Sequence, residues 1–328
     1  MRGWRRVGVA ALVVLGGLAV PSAQAGGTED DAVVTPLAAG DSVQRTASRS
    51  RDVTGDGWPD IVARQPGINN GALWVYTHSG RLQGMSTFSA KTLAGTNWNI
   101  YNWIGVAEVT GDESEVAAEA PADLVARRAS DGALLVYPHS GTLNGTLTWG
   151  TPVVVGSGWN SQTKIILADV SGDGYDDILS FDGFGKWWVY PHSGNFDATR
   201  TFLPRVQVGQ DSTEWIGWVM ATSWYRENPD RIITVNGSGE VLAGRHSQKF
   251  NGTGTFADEV LLSGAAFNWQ TTTSLSLIDV NGNGNDDIVK RLPDGKLMAY
   301  PYLGWGASPA FGAPVQVGQG WQIMDLIT

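Results

Sequence analysis

The chain has 328 residues, with 32 Asp and Glu against 22 Lys and Arg, a net charge of −10 and no cysteine. An acidic chain without a basic stripe argues against nucleic acid and anionic membranes as partners, and the lack of cysteine excludes a disulfide framework and thiol chemistry. Its 43 glycines and 15 tryptophans point instead to many tight turns and large aromatic contacts.

Residues 1–25 hold Arg2, Arg5 and Arg6, an apolar run over 7–20 and the triplet Ala23-Gln24-Ala25, the three-part pattern of a secretory signal peptide. The apolar run is too short to span a bilayer comfortably. A secreted, extracellular protein without membrane insertion is therefore expected, and removing the three arginines takes the charge from −10 to −13. Residues 26–50 are small and polar without periodicity, which predicts a flexible N-terminal arm.

The stretch Asp169–Ile178, DVSGDGYDDI, sets the pattern for 51–328. It recurs as DVTGDGWPDI at 52–61 and DVNGNGNDDI at 279–288, as a fragment EVTGD at 108–112 with Asp123 further on, and as a register without acids leading from Met220 to Asp230. The starts 52, 108, 169, 220 and 279 make a five-fold repeat. Each repeat carries four apolar runs rich in Val, Ile, Trp and Tyr and bounded by Gly, Asp or Ser, which read as strands. In the third these are 164–170, 177–181, 186–190 and 205–208. Four strands per repeat predict an all-β fold, a five-bladed β-propeller of four-stranded blades. The terminal stretch 322–328 matches the strand that elsewhere precedes the acidic loop, so it is expected to complete the blade begun at Asp52 and close the ring, with a monomer as the product.

Oxygen-bearing side chains at alternate positions, with glycine at the sixth, are what a hard cation such as Ca²⁺ requires. The candidate ligands are Asp52, Thr54, Asp56, Trp58 and Asp60; Asp169, Ser171, Asp173, Tyr175 and Asp177; and Asp279, Asn281, Asn283, Asn285 and Asp287. Trp58, Tyr175 and Asn285 would contribute backbone carbonyls. About three structural calcium sites are expected, the last weakened by Asn283, while Glu108, Thr110, Asp112 and Asp123 make at best a stretched one.

These loops resemble the FG-GAP/VCBS repeats of integrin-type propellers common in secreted actinobacterial proteins. The hairpins that end in Tyr-Pro-His-Ser-Gly resemble those of tachylectin-like proteins. The resemblance covers about 45–328 and implies the propeller fold and calcium, whereas partners vary widely within such families.

His78, His139, His192 and His246 share one repeat position, with Tyr302 in the fifth. Equivalent positions are spread around a ring and do not converge on one ion, so a turn hydrogen bond is the better reading. Trp98, Trp159, Trp215, Trp269 and Trp321 follow a Val/Leu-Gly turn or its equivalent. They suit packing between blades, with a set of sugar-stacking sites as the alternative. Trp187 and Trp188 point to opposite faces of their strand, so one of the pair is a candidate exposed contact. With no Gly-x-Ser-x-Gly, no His-Glu-x-x-His and no histidine outside the repeat register, an enzyme is not expected.

The function expected is a calcium-binding module for carbohydrate on a cell wall or polysaccharide, using the tryptophans named above and Trp188. The alternative is a surface or secreted protein partner engaged by the degenerate fourth repeat through Trp224 and Tyr225. Repetition favours binding, because several weak equivalent sites act together on a surface.

Overall fold

The computed structural model describes residues 51–111, 121–210, 216–222, 230–263 and 274–328. The signal peptide and arm expected over 1–50 lie outside these, as do Asp112, Trp215, Trp224, Tyr225 and Trp269. The described strands form five four-stranded antiparallel sheets. The first contains β1 (Ile61–Gln65), β2 (Ala72–His78) and β3 (Phe88–Gly95). The second contains β4 (Tyr101–Ala107), β5 (Asp123–Arg128), β6 (Leu134–Tyr137) and β7 (Val153–Gly156). The third has β8 (Gln162–Ala168), β9 (Asp177–Asp182), β10 (Lys186–Tyr190) and β11 (Val206–Gln210), within two residues of the sequence reading. The fourth has β12 (Ile216–Thr222), β13 (Arg231–Asn236), β14 (Val241–His246) and β15 (Phe256–Ser263). The fifth has β16 (Ser274–Ile278), β17 (Asp287–Arg291), β18 (Leu297–Tyr300) and β19 (Val315–Gly318).

The last strand, β20 (Leu326–Ile327), pairs with β1 and completes the first sheet. Backbone bonds run both ways between Val62 and Thr328, and Asp325 donates to the Arg64 carbonyl. Strands β20, β4, β8, β12 and β16 are the ring's inner strands, each of the first four neighbours in that series touching the next. The molecule is a five-bladed β-propeller closed by its C-terminal strand, as the repeats predict.

A middle strand of a propeller blade is covered on both sides, so β1 and β5 are buried over four successive residues and carry the adjacent apolar triplets Ile61-Val62-Ala63 and Leu124-Val125-Ala126 rather than an alternating pattern. The core is divided among blade interfaces. Val62, Leu73 and Val75 of the first blade pack with Ile104, Leu124 and Leu135 of the second, and Ile233 and Val235 of the fourth with Leu277 and Ile288 of the fifth. In the first four blades a short 3-10 turn before the outer strand leans on the outer strand of the preceding blade, as the turn at Gly145–Leu147 does on β3. That placement covers an edge which would otherwise invite pairing with another chain.

One register differs from the sequence reading. Thr222 pairs with Arg231 as Ala168 pairs with Asp177. The fourth repeat therefore begins at residue 223 rather than at Met220, because the apolar run continues to Thr222 with no acidic loop to mark its end.

Candidate functional site

Each acidic loop leads into the second strand of its blade, and in the third and fifth blades it joins that strand to the inner one. In the first, Asp52 Oδ1 accepts the N–H groups of Thr54 (3.1 Å), Gly55 (2.7 Å) and Asp56 (3.3 Å), and Oδ2 accepts that of Gly57 (2.6 Å). Asp169 and Asp279 do the same for Gly172, Asp173 and Gly174, and for Gly282, Asn283 and Gly284. Wrapping the backbone round one carboxylate needs positive φ at both glycines, and Gly55 and Gly57 stand at 77° and 82°. The fifth residue then holds the seventh: Asp56 accepts Trp58 N–H, Asp173 accepts Tyr175 N–H, and Asn283 accepts Asn285 N–H.

The ninth position is a staple. Asp60 Oδ2 accepts Val53 and Thr54 N–H while Oδ1 accepts His78 N–H across the blade (2.9 Å). Asp177 and Asp123 repeat all three bonds in their own blades. Asp287 accepts Val280 and Tyr302 N–H, with the Asn281 amide beside it. In the stretched second loop Glu108 still accepts Gly111 N–H (2.8 Å).

No Lys or Arg forms an ion pair with Asp52, Asp60, Asp169, Asp177, Asp279 or Asp287 among the described residues. Burial pushes Asp60 up to about 7, helped by the charges of Asp52 and Asp56. It likewise raises Asp177 to about 7 and Asp287 to about 8, with their loop partners adding repulsion. Asp52, Asp169 and Asp279 are also raised, by burial first. Among the described residues no three or more His, Asp or Glu side chains are grouped as a preformed metal centre. The donor set nonetheless fits a hard cation, since every candidate donor is oxygen and each carboxylate oxygen can hold an amide and an ion together.

The histidines are placed as structural residues. Nδ1 of His78, His139, His192 and His246 accepts a backbone N–H two residues on, each at 3.0 Å. That leaves the proton on Nε2. From there His78, His192 and His246 reach the carbonyls of Val280, Val109 and Val170, second residues of the preceding blade's loop. An aromatic edge packs against each ring (Phe88, Trp149, Phe202 and Phe256). Trp58 stacks on His78 and Tyr175 on His192. Trp58 also covers Gly282 of the preceding blade's loop, where an added Cβ would lie 2.2 Å from the indole. Neighbouring loops are thereby linked through an aromatic at the seventh position.

Trp98, Trp159 and Trp321 are each 5% exposed and open a 3-10 turn between blades. Their rings meet Tyr137, Tyr190 and Tyr76 of the following blade. The indole folds back on the glycine three residues before it, so that a Cβ on Gly95, Gly156 or Gly318 would lie 2.1, 2.5 or 2.3 Å from Nε1. The sugar-site reading of Trp98, Trp159 and Trp321 is corrected here: with both faces packed, none offers a surface to a pyranose. Trp215 and Trp269 lie outside the described residues. Trp187 is 3% exposed and Trp188 half-buried, as alternation requires. The Trp188 indole donates to Asp182 (3.0 Å), with the Arg205 guanidinium 4.0 Å from its ring centre. Phe184, 82% exposed, stands in the turn of the same β9–β10 hairpin.

Three arginines outside the acidic loops also tie neighbouring blades together. Arg64, Arg127 and Arg291, one residue type at one point of the second strand, hold backbone carbonyls at the entry to the next blade. Arg64 Nη1 donates to Trp98 (2.8 Å) and Tyr101, Arg127 Nη1 to Trp159 (3.0 Å) and Gln162 (2.9 Å), and Arg291 to Trp321 and Met324. The repeated Ile/Leu-Val-Ala/Lys-Arg could have announced them.

No protein-family model matches the sequence, and no curated protein matches it. Among solved structures the chain is similar to BBS1N in its complex with ARL6DN, at 9% identity over 82% of this chain and 71% of that one, with a TM-score of 0.30. It is also similar to human WBSCR16, at 10% identity over 76% of this chain and 63% of that one, with a TM-score of 0.30. No helix among the described residues is long and apolar enough to cross a membrane.

Proposed function

We propose that the chain is an exported, non-enzymatic propeller whose acidic loops bind calcium and whose outer surface binds carbohydrate of a cell wall or polysaccharide. The calcium reading is supported by the three full loops, in which Asp52, Asp60, Asp177, Asp279 and Asp287 are buried and form no ion pair with Lys or Arg among the described residues. Asp52, Asp56 and Asp60 would hold one ion, Asp169, Ser171, Asp173 and Asp177 a second, and Asp279, Asn281, Asn283 and Asp287 a third. The ion would supply the missing positive charge and fix each turn against its histidine staple. A binding role agrees with the propeller fold, which offers repeated surfaces.

The observation that carries the carbohydrate reading is the half-exposed Trp188, beside Asp182, Arg205 and the protruding Phe184. An aromatic ring flanked by hydroxyl-binding groups is a common way to hold a pyranose, and buried Trp98, Trp159 and Trp321 leave Trp188 as the described tryptophan from the candidate set that suits it. The test is a pull-down of the protein on cell walls and insoluble polysaccharides, with calcium and with chelator, beside a Trp188→Ala variant. Calcium-dependent retention lost in the variant supports the reading. Equal retention of folded wild type and variant, or retention on no glycan, overturns it and directs the search to a protein partner.

A further inference from the structure

The third strand of each blade has a bulge against the outer strand, and the residue just after it is Trp74, Leu135, Trp188, Leu242 or Met298 in turn. Only the first and third blades carry tryptophan there, and both rings are half-buried. Three further features recur around these two rings. The indole N–H is held by a side-chain oxygen at the end of the second strand: Trp74 donates to Gln65 Oε1 (3.2 Å) and Trp188 to Asp182 Oδ2 (3.0 Å). A cation lies over the ring, with Lys91 Nζ 4.3 Å from its centre in the first blade and the Arg205 guanidinium 4.0 Å away in the third. The turn between the second and third strands lifts an apolar side chain into solvent, Ile68 at 42% exposure and Phe184 at 82%.

The register explains the repetition. Lys91 pairs with Tyr76, two residues beyond Trp74, and Arg205 precedes Val206, which pairs with Val189, so it lies opposite Tyr190, two beyond Trp188. The other blades place Pro152, Glu259 and Pro314 at that point. Tyr76 and Tyr190 share a strand face with the tryptophans and meet Trp321 and Trp159 of the preceding blade. Each site therefore lies at the groove where its blade joins the preceding one. Lys91 and Arg205 are exposed and form no ion pair among the described residues, in a chain of net charge −10. The Asp182 carboxylate is already engaged by the N–H groups of Phe184, Lys186 and the Trp188 indole. Two cations are thus held against aromatic rings rather than against carboxylates of the protein.

We propose that Trp74 with Lys91, and Trp188 with Arg205, form two equivalent sites for a uronate polysaccharide, each taking one acidic sugar. The proposal rests on the carbohydrate reading of Trp188 and narrows it to sugars that carry a carboxylate. An aromatic ring beside a fixed cation suits a unit whose carboxylate is attached to the pyranose itself, so that charge and apolar ring face come from one sugar. A neutral glycan leaves Lys91 and Arg205 without a partner, and a polyol phosphate brings charge without a ring. Arg205 can hold a carboxylate through two parallel bonds, while Lys91 meets it as a point charge. The second blade separates the two sites, and one chain long enough to reach both gains from joint engagement. The sites use none of the calcium-loop ligands.

The test is affinity electrophoresis of the full chain at fixed calcium, through gels holding polygalacturonate, its methyl ester or polyglycerol phosphate, each read against a gel without polymer. Wild type is compared with Lys91→Gln, Arg205→Gln and the double variant, whose melting temperatures should match because both side chains are exposed. Wild type should be retarded most by polygalacturonate. Each single variant should lose about tenfold or more in affinity for it as joint engagement fails, and the double variant should no longer prefer the acid to the ester. Trp74→Leu, which installs the residue found there in the second and fourth blades, should lose as much as Lys91→Gln. Equal retardation of wild type by acid and ester, or variants that bind polygalacturonate as wild type does, overturns the uronate sites and leaves the carbohydrate reading standing. Stronger retardation by polyglycerol phosphate than by polygalacturonate also overturns them. Retardation by none of the polymers, together with no retention on cell walls or insoluble polysaccharides, overturns both.

Discussion

Ring closure makes a quantitative prediction at Arg64. Its side chain is 9% exposed and binds both oxygens of Asp325, at 2.9 and 2.5 Å, besides the carbonyls of Trp98 and Tyr101. One group therefore joins the closing strand, the first blade and the entry to the second. Arg64→Met keeps most of the stem and removes every one of these bonds. Hydrogen bonds to a charged group contribute about 1.5–3 kcal/mol each, but Asp325 is 41% exposed and regains water. The larger loss is the two carbonyls left without their donor, and about 3 kcal/mol in all is expected. Arg128→Met is the control: its partner Asp131 is on the surface, and such a pair contributes under about 1 kcal/mol. Equilibrium urea unfolding of both variants, with Asp325→Ala completing a double-mutant cycle, measures the difference. The reasoning is refuted if Arg64→Met costs no more than Arg128→Met, or if Arg64 and Asp325 show no coupling.

Trp159→Ala should cost about 3–5 kcal/mol in thermal or urea unfolding, the usual loss for a buried aromatic; a fully stable variant would contradict the inter-blade packing. Replacing His192 by Ala removes a bond to each of two blades and should destabilise by about 2 kcal/mol, read by the same unfolding assay, with no change in calcium stoichiometry. The pH dependence in chelator follows from opposing shifts. Asp60, Asp177 and Asp287 have folded values raised to about 7, 7 and 8, so their contribution is present below about pH 4 and lost as pH rises through 7–8. His192 and His246 are lowered by burial, so theirs is present above about 6.5 and lost as pH falls below it. The three carboxylate shifts are the larger, and chelated protein should be more stable at pH 5 than at pH 8. Melting curves in calcium should reverse that order, because an ion competes with the protons.

The fold was legible because every repeat carries strand-like apolar runs and three of the five add an Asp/Gly loop whose glycines need positive φ. Closure could be read from 322–328, a strand without a loop of its own. Where the loop is missing the register drifted, and the fourth repeat was started at Met220. The histidine staples were half legible: His-Ser-Gly announces the bond at Nδ1, but the Nε2 partner is a backbone carbonyl, which any residue supplies. The same reason hid Arg64, Arg127 and Arg291. The choice between packing and sugar binding at Trp98, Trp159 and Trp321 depended on whether both ring faces were covered. That is fixed by Tyr137, Tyr190 and Tyr76 on a different blade, and no local pattern carries it.

The most direct measurement is a calorimetric calcium titration of the chelated full-length protein, followed by melting at each ratio. The account predicts saturation at about three ions, one for each full loop, with the melting temperature rising until the sites are filled. Asp169→Ala should remove one ion. Absence of binding heat with a melting temperature indifferent to calcium would contradict it.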